Sequence, residues 1–242
     1  MVVTGASMGI GEAIARIFAE GGASVVLLSR DAGRAEAARG RIGQAERTLA
    51  LACDVRNREE IDRVVGLTLH HHQRIDVWIN NAGHGILDAV ATVNMGACRE
   101  TFETNVFGAV EAMQAVVPVM KQQGSGTIVN ISSVAGHLPL PFHAVYSATK
   151  FALNAIGKGA RIELKDSGIN VMTVCPGYVR TDFTANAIKG NELKQVRPSQ
   201  VRGITAERVA KAVLRGYLKH KREVVVPWTM HPVIKIYQLF PG

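Results

Sequence analysis

The chain has 242 residues, 47% hydrophobic and 20% charged, which suits one α/β domain with a full core, although the length also tolerates two small ones. No apolar run approaches the ~20 residues that cross a bilayer. Three scattered cysteines, Cys53, Cys98 and Cys175, exclude a disulfide framework, lack metal-ligand spacing and point to a reduced cytoplasmic setting. The net charge of +8 implies an anionic partner: a phosphorylated cofactor, an anionic membrane surface or nucleic acid. Nucleic acid is set aside, because the basic residues are dispersed and aromatic residues make up only 5% of the chain.

Val2-Val3 leads straight into Thr4-Gly5-Ala6-Ser7-Met8-Gly9-Ile10-Gly11, and an amphipathic helix follows to about Glu20. Strand, glycine turn and helix in that order let the backbone approach a pyrophosphate beside free helix N–H groups. The spacing is Gly-x-x-x-Gly-x-Gly, and Met1–Ile10 lacks the basic and apolar regions of a signal sequence. So short a first strand suggests a native start upstream of Met1, since strands usually run ~5–6 residues. A second buried strand, Ser24–Leu28, ends in Ser29-Arg30-Asp31. An acidic residue at that strand end would accept from an adenosine ribose 2′-hydroxyl, whereas arginine accommodates a 2′-phosphate. Ser29 in the acidic place and Arg30 after it favour NADP(H) over NAD(H).

A helix over 32–43 and a strand over Thr48–Cys53 follow, with Asp54 at the strand end either reaching an adenine amine or forming a turn. Asn57 with Glu60 reads as a capping box for a helix to about residue 70. The His70-His71-His72 run closes that helix, its rings pointing apart, so no metal site is expected there. The fourth strand, Ile75–Ile79, runs into Asn80-Asn81-Ala82-Gly83, a strand end of the kind that lines the ligand crevice of parallel sheets. Residues 97–123 read as helix, broken near Asn105, a polar residue on an apolar face whose buried amide requires hydrogen bonds.

Gly126–Ile131 is the fifth strand and delivers Ser132 and Ser133. A helix from about Ala144 to Lys165 places Tyr146 and Lys150 one turn apart on one face. A tyrosine pKa near ~10 is too high for proton exchange at neutral pH, and a nearby ammonium lowers it, making the phenol a usable acid or base. Ile169–Val174 is the sixth strand, stopped by Pro176-Gly177. Residues 178–204 have the weak periodicity of a lid over a pocket. Thr205 caps a helix to about His220, and Glu223–Val226 is the seventh strand. The alternation of strand and helix predicts a single-domain, Rossmann-like α/β fold: a doubly wound parallel sheet of about seven strands with helices on both faces.

In this order the motifs TGASMGIG at Thr4–Gly11, Asp54, NNAG at Asn80–Gly83, Asn105, Ser133, Tyr146 with Lys150, and Pro176-Gly177 with Thr181 resemble the short-chain dehydrogenase/reductase family over nearly the whole chain. The resemblance implies an NADP(H)-dependent oxidoreductase with NADPH across the strand ends and its pyrophosphate at Gly9–Gly11. It assigns cofactor binding to Gly5, Ser7, Gly9, Ile10, Gly11, Arg30, Asp54, Asn81, Ala82, Gly83, Tyr146, Lys150, Pro176, Gly177 and Thr181. Tyr146 would exchange the proton of the carbonyl or alcohol oxygen, and Lys150 would lower its pKa and bind the nicotinamide ribose. Ser133 would hold the substrate oxygen, Asn105 would hold a water, and Thr181 would contact the carboxamide. Met8 stands where many NADP-preferring members carry a basic residue, which leaves phosphate recognition largely to Arg30.

Leu138–Phe142, Tyr178 and Phe183 suggest a lipophilic ketone, aldehyde or secondary alcohol, with His143 and Tyr178 as substrate contacts. The tail over residues 228–242 is apolar, with Val233, Ile234, Tyr237 and Phe240 near one helical face. It would rest on a membrane interface, cover the pocket or pack on a second subunit, and the resemblance implies a homodimer or homotetramer. Two rival readings are a non-catalytic NADP(H)-binding regulator and a membrane-surface protein on the same fold.

Overall fold

The computed structural model describes residues 1–190 and 203–240. Its elements in chain order are β1 (Val2–Thr4), α1 (Gly9–Glu20), β2 (Val25–Ser29), α2 (Ala32–Ile42), β3 (Thr48–Ala52), α3 (Arg58–His72), β4 (Val77–Asn80) and β5 (Ile86–Leu87). There follow α4 (Met95–Phe102), α5 (Gly108–Gln123), β6 (Gly126–Ile131), α6 (Ala144–Glu163), β7 (Ile169–Pro176), β8 (Ile188–Lys189), α7 (Ala206–Leu218), β9 (Glu223–Val226) and α8 (Met230–Leu239). Seven strands make one sheet in the order β3-β2-β1-β4-β6-β7-β9, with every neighbouring pair parallel.

Strand residues alternate between the two faces, and the sequence supplies apolar side chains for both. Val3, Leu27 and Ile79 pack with Ile14 and Phe18 of α1 and Val209 and Val213 of α7 on one face. On the other, Val2, Val26, Leu28 and Trp78 pack with Ile61 and Val64 of α3 and Val116 of α5. Trp78 is wholly buried, and truncation of such a residue costs about 3–5 kcal/mol. The chain winds outward from β1 to β3 and then returns to β4 on the other side of β1. This reversal opens a crevice between the carboxyl ends of β1 and β4, where the glycine turn and Asn80–Gly83 face each other.

Two local expectations are corrected. Asn57 caps α3, its Oδ1 accepting from the N–H groups of Glu59 and Glu60 at 2.9 and 3.3 Å. The reciprocal half of the box does not form with Asn57: Glu60 Oε2 instead accepts from the Asp54 N–H at 2.9 Å and ties the end of β3 to α3. The 178–204 stretch is described only in part, since residues 191–202 lie outside the described residues. Its described portion includes β8, which pairs in parallel with β5 through Ile86–Ile188 and Leu87–Lys189, so part of the chain after β7 is pinned to the segment that follows β4. A two-residue strand has no periodicity to read, which is why both were missed. In the tail, α8 buries Ile234, while Tyr237 is half-buried and Val233 and Phe240 are exposed.

Candidate active site

The β1–α1 turn is built by close backbone approach. Gly5 and Gly9 adopt φ of 62° and 60°, the left-handed region that glycine enters without strain. A Cβ on Gly5 would lie 2.9 Å from Ala82 Cα, and one on Gly11 would overlap the Gly5 carbonyl oxygen. Asn81 holds the turn from β4: its Nδ2 donates to the Thr4 and Gly5 carbonyls at 2.9 Å each. Thr4 Oγ1 accepts in return from the N–H groups of Asn81 and Ala82, both at 2.9 Å. Met8 provides no side-chain cap to α1, so the first N–H groups of this helix are available to an anion. Thr181 stands opposite, its Cγ2 3.3 Å from where a Gly9 Cβ would be. The glycine cradle and the uncapped helix end fit a pyrophosphate.

At the end of β2, Ser29 is buried and its Oγ accepts from the Asp31 N–H at 3.3 Å. Arg30 is exposed and its side chain makes no hydrogen bond or ion pair among the described residues. Nearby, Arg41 of α2 donates to Ser7 O at 2.9 Å and pairs with Glu12 at 2.7 Å. Asp54 is engaged by Arg56, with contacts of 2.6–3.1 Å, and Arg56 continues to Glu100 at 3.2 Å. The Arg56 guanidinium holds the Asp54 carboxyl below the usual carboxylate range.

The chemistry-bearing side chains gather at the ends of β6 and β7. Between α4 and α5 the helix makes a π turn over Glu103–Phe107, the expected break, which turns Asn105 inward to 2% exposure. Its Oδ1 accepts from the His84 N–H at 3.0 Å, while its Nδ2 donates to His84 O at 3.0 Å and to Thr149 Oγ1 at 3.2 Å. Thr149 Oγ1 in turn donates to Tyr146 O at 2.7 Å. Asn105 therefore joins the chain after β4 to the first turns of α6. Gly83 allows this approach, since a Cβ there would sit 2.9 Å from Asn105 Oδ1. His84 Nε2 meets Thr101 Oγ1 at 3.2 Å, and burial holds the imidazole below its usual pKa.

Lys150 is 5% exposed, donates to Ile131 O at 3.0 Å and lies 5.7 Å from the Tyr146 ring centroid. The shared face of Tyr146 and Lys150 is as expected, but the electrostatics differ. Burial pushes the Tyr146 phenol up to about 12, with the Ser133 hydroxyl pulling the other way, and pushes Lys150 down to about 8. The ammonium is turned to a backbone carbonyl, and desolvation works against the charged form of each group, with Lys150 at about 8 still holding its proton at neutral pH.

The two serines sit in different surroundings. Ser132 is buried and its Oγ donates to Lys150 O at 3.3 Å. Half-buried Ser133 donates to Pro176 O at 3.4 Å and accepts from the Ala135 N–H at 3.1 Å, placing its hydroxyl beside Tyr146 and the Pro176-Gly177 stop. Phe183 packs on Tyr146 with ring centroids 5.6 Å apart. Tyr178, Leu140 and Phe142 are exposed, and Phe142 is held at φ 61°, an uncommon conformation for a bulky residue. His143 precedes α6, its Nδ1 meeting Pro141 O at 3.0 Å. Sequence reasoning missed Thr149, Arg56 and Arg41, none of which carries a local signal. It also missed the meeting of His137, Cys175 and Glu223, residues from three separate segments.

The description "short chain dehydrogenase" belongs to the family profile that matches residues 1–192. The chain is 32% identical over 246 aligned residues to Dehydrogenase/reductase SDR family member 7B of Danio rerio, spanning 98% of this chain and 79% of that one. A short-chain dehydrogenase of Sphingobium yanoikuyae, solved with NADPH, superposes with a TM-score of 0.82 at 29% identity over 98% of this chain and 91% of that one. A short-chain dehydrogenase/reductase of Burkholderia phymatum, solved with NAD, superposes at 0.89 with 22% identity over 98% and 92% of the two chains, a likeness of fold. The fold and these likenesses define a nicotinamide-dependent oxidoreductase acting between CH–OH and C=O groups. The chain belongs to the short-chain dehydrogenase/reductase family.

Proposed function

We propose that this protein is an NADP(H)-dependent reductase or dehydrogenase of lipophilic ketones, aldehydes or secondary alcohols, with Tyr146 as its proton donor and acceptor. The observation that carries the reading is the convergence of Ser133, Tyr146 and Lys150 at the strand ends beside the glycine turn. Gly5, Ser7, Gly9, Ile10 and Gly11 would hold the pyrophosphate side of the cofactor, with Asn81, Ala82 and Gly83 forming the wall opposite. Pro176, Gly177 and Thr181 would flank the nicotinamide, and Asp54 would lie toward the adenine, oriented by Arg56. When bound, the nicotinamide supplies or takes up the hydride. Ser133 would hold the substrate oxygen, and Tyr146 would move the proton at that oxygen. Lys150 would turn from Ile131 O toward the ribose and the phenol, and Asn105 would fix the backbone on which a proton-relaying water depends.

The preference for NADP(H) is supported by the unengaged guanidinium of Arg30 and by Ser29 in place of a carboxylate. Lipophilic substrate is supported by Leu140, Phe142, Tyr178 and Phe183 at the mouth, with His143 and Tyr178 as contacts. The outward residues Trp228, Ile236, Leu239 and Phe240, beside Lys219, Lys221 and Arg222, support a surface that meets a second subunit or an anionic membrane. Among the described residues no helix is long and apolar enough to cross a membrane. Sedimentation equilibrium and co-sedimentation with anionic vesicles separate those two contacts.

The test of the main reading is nicotinamide absorbance with NADPH and with NADH across a panel of carbonyl compounds. Turnover with NADPH preferred, rising with substrate apolarity, is the expected result. Preference for NADH overturns the role of Arg30, and carbonyl reduction undiminished in Tyr146→Phe overturns the proton-transfer role.

A further inference from the structure

Behind the Tyr146–Lys150 pair a second cluster is left unused by this chemistry. His137, in the loop after Ser133, Cys175, near the end of β7, and Glu223, at the start of β9, bring one ligand atom each to within 4.8 Å of one another. His137 Nε2 lies 3.3 Å from Cys175 Sγ and 3.6 Å from Glu223 Oε2. His137 is 8% exposed and Cys175 wholly buried. One imidazole nitrogen cannot serve both neighbours. If the thiol donates to Nε2, the carboxylate is left facing an acceptor, and 3.6 Å is too long for a hydrogen bond. Glu223 makes no side-chain hydrogen bond among the described residues. Three electron-rich atoms thus converge with too few protons between them.

We propose that His137 Nε2, Cys175 Sγ and Glu223 Oε2 bind a divalent transition metal of the zinc class. Nitrogen, thiolate and carboxylate are the zinc donor set, and a metal at ~2.0–2.1 Å from nitrogen and oxygen and ~2.3 Å from sulfur would subtend about 100° at the N,S pair and about 120° at the N,O pair. Both angles are near tetrahedral, and rotation of the half-buried Glu223 side chain would close the sulfur-to-carboxylate separation, which lies within 4.8 Å. The carboxamide oxygen of Asn154 accepts from the Cys175 thiol at 3.9 Å, and that oxygen or a water would complete the shell. Binding replaces the Cys175 S–H bond with a metal–sulfur bond, the proton passing to solvent and no electron changing hands.

The surroundings agree with this assignment. Burial holds His137 below its usual pKa, with Lys158, His231 and Lys235 lowering it further and Glu223 opposing them, so the imidazole is neutral and its lone pair open. Lys158 and Lys235 also repel a dication, and the Glu223 carboxylate and the Cys175 thiolate together offset that repulsion. Burial keeps the Cys175 thiol protonated, pushed up to about 12, until a cation displaces its proton. The position has a consequence for the active site. His137 shares its loop with Ser133, and Cys175 precedes Pro176, whose carbonyl accepts from Ser133 Oγ. A metal here would tie the edge strand to the loop that carries Ser133.

Titration of the intact protein with Co²⁺ tests the proposal. The expected result is a thiolate-to-cobalt charge-transfer band with tetrahedral visible bands, saturating at one equivalent and bleached by Zn²⁺. Cys175→Ser should remove the band, while Cys53→Ser and Cys98→Ser keep it. Glu223→Gln, at a half-buried strand end where the fold tolerates an amide, should weaken Co²⁺ by about tenfold or more, the scale lost even for an outer partner. Absence of the band in the wild-type protein, its persistence in Cys175→Ser, or unchanged affinity in Glu223→Gln overturns the site.

Discussion

The two walls of the crevice are made by opposite means. The wall at β1 and β4 is backbone on backbone: Gly5 and Gly11 leave no room for a Cβ, Gly9 holds a left-handed φ, and Asn81 and Thr4 lock the turn with neutral hydrogen bonds. The wall at β6, β7 and α6 is made of side chains that titrate: Lys150 and Cys175, which are buried, and Tyr146, which is half-buried. The first wall tolerates a change of charge nearby but no added volume. The second accepts near-isosteric changes of shape yet responds to every change of ionisation. The contrast separates binding from chemistry, and each wall can be broken without the other.

The largest effect is expected on the titrating wall. Tyr146→Phe removes the proton donor but almost no volume, so carbonyl reduction should fall by about 10²–10⁴-fold with cofactor affinity kept. Steady-state kinetics beside a fluorescence titration with NADPH will show the split, and an equal loss of binding would mean that the phenol serves the cofactor instead. On the backbone wall, Gly11→Ala forces a Cβ into the Gly5 carbonyl. Overpacking of that kind costs about 1–3 kcal/mol, and here it should appear both in urea unfolding and as loss of NADPH binding.

Lys150 ranks next and turns the contrast into a pH profile. Burial lowers its pKa from 10.5 to about 8, so the unfolded chain holds more protons than the folded one between those values. Stability should therefore rise as the pH increases from about 8 toward 10.5, by about 3 kcal/mol at most. Tyr146, raised from 10.0 to about 12, acts with the opposite sign, and its stability contribution is lost as the pH climbs through that window. Unfolding of the wild-type protein and of Lys150→Met between pH 7.5 and 10 will show a rise in the first and a flat profile in the second. The smallest effect belongs to Arg30. Removing a charged partner of a phosphate costs about 1.5–3 kcal/mol, so Arg30→Ala should weaken NADPH by roughly 10- to 100-fold and leave NADH unchanged.

Much of this architecture was legible in local pattern. Gly126–Ile131 and Glu223–Val226 appear as strands with the boundaries read from the sequence, because β-branched runs bounded by glycine and charged residues allow little else. The break at Asn105 was visible as one polar residue on an apolar helical face, and the pairing of Tyr146 with Lys150 follows from their four-residue spacing. The capping box at Asn57 failed for a physical reason: Glu60 has a second suitor, the Asp54 N–H, which only the docking of β3 against α3 brings within reach.

The amino-acid sequence by itself therefore determined the order of strands and helices, the glycine turn, the Asn80–Gly83 wall and the tyrosine–lysine pair, since each depends on spacing along one segment. Tertiary structure alone decided that Lys150 faces Ile131 O, that Asn105 grips His84 and Thr149, and that β5 meets β8. It likewise decided that His137, Cys175 and Glu223 converge, and that the phenol is pushed up where its neighbouring ammonium was expected to bring it down. These depend on which distant segments exclude water from which polar atoms, and desolvation is a property of the packed whole that no stretch of chain carries alone.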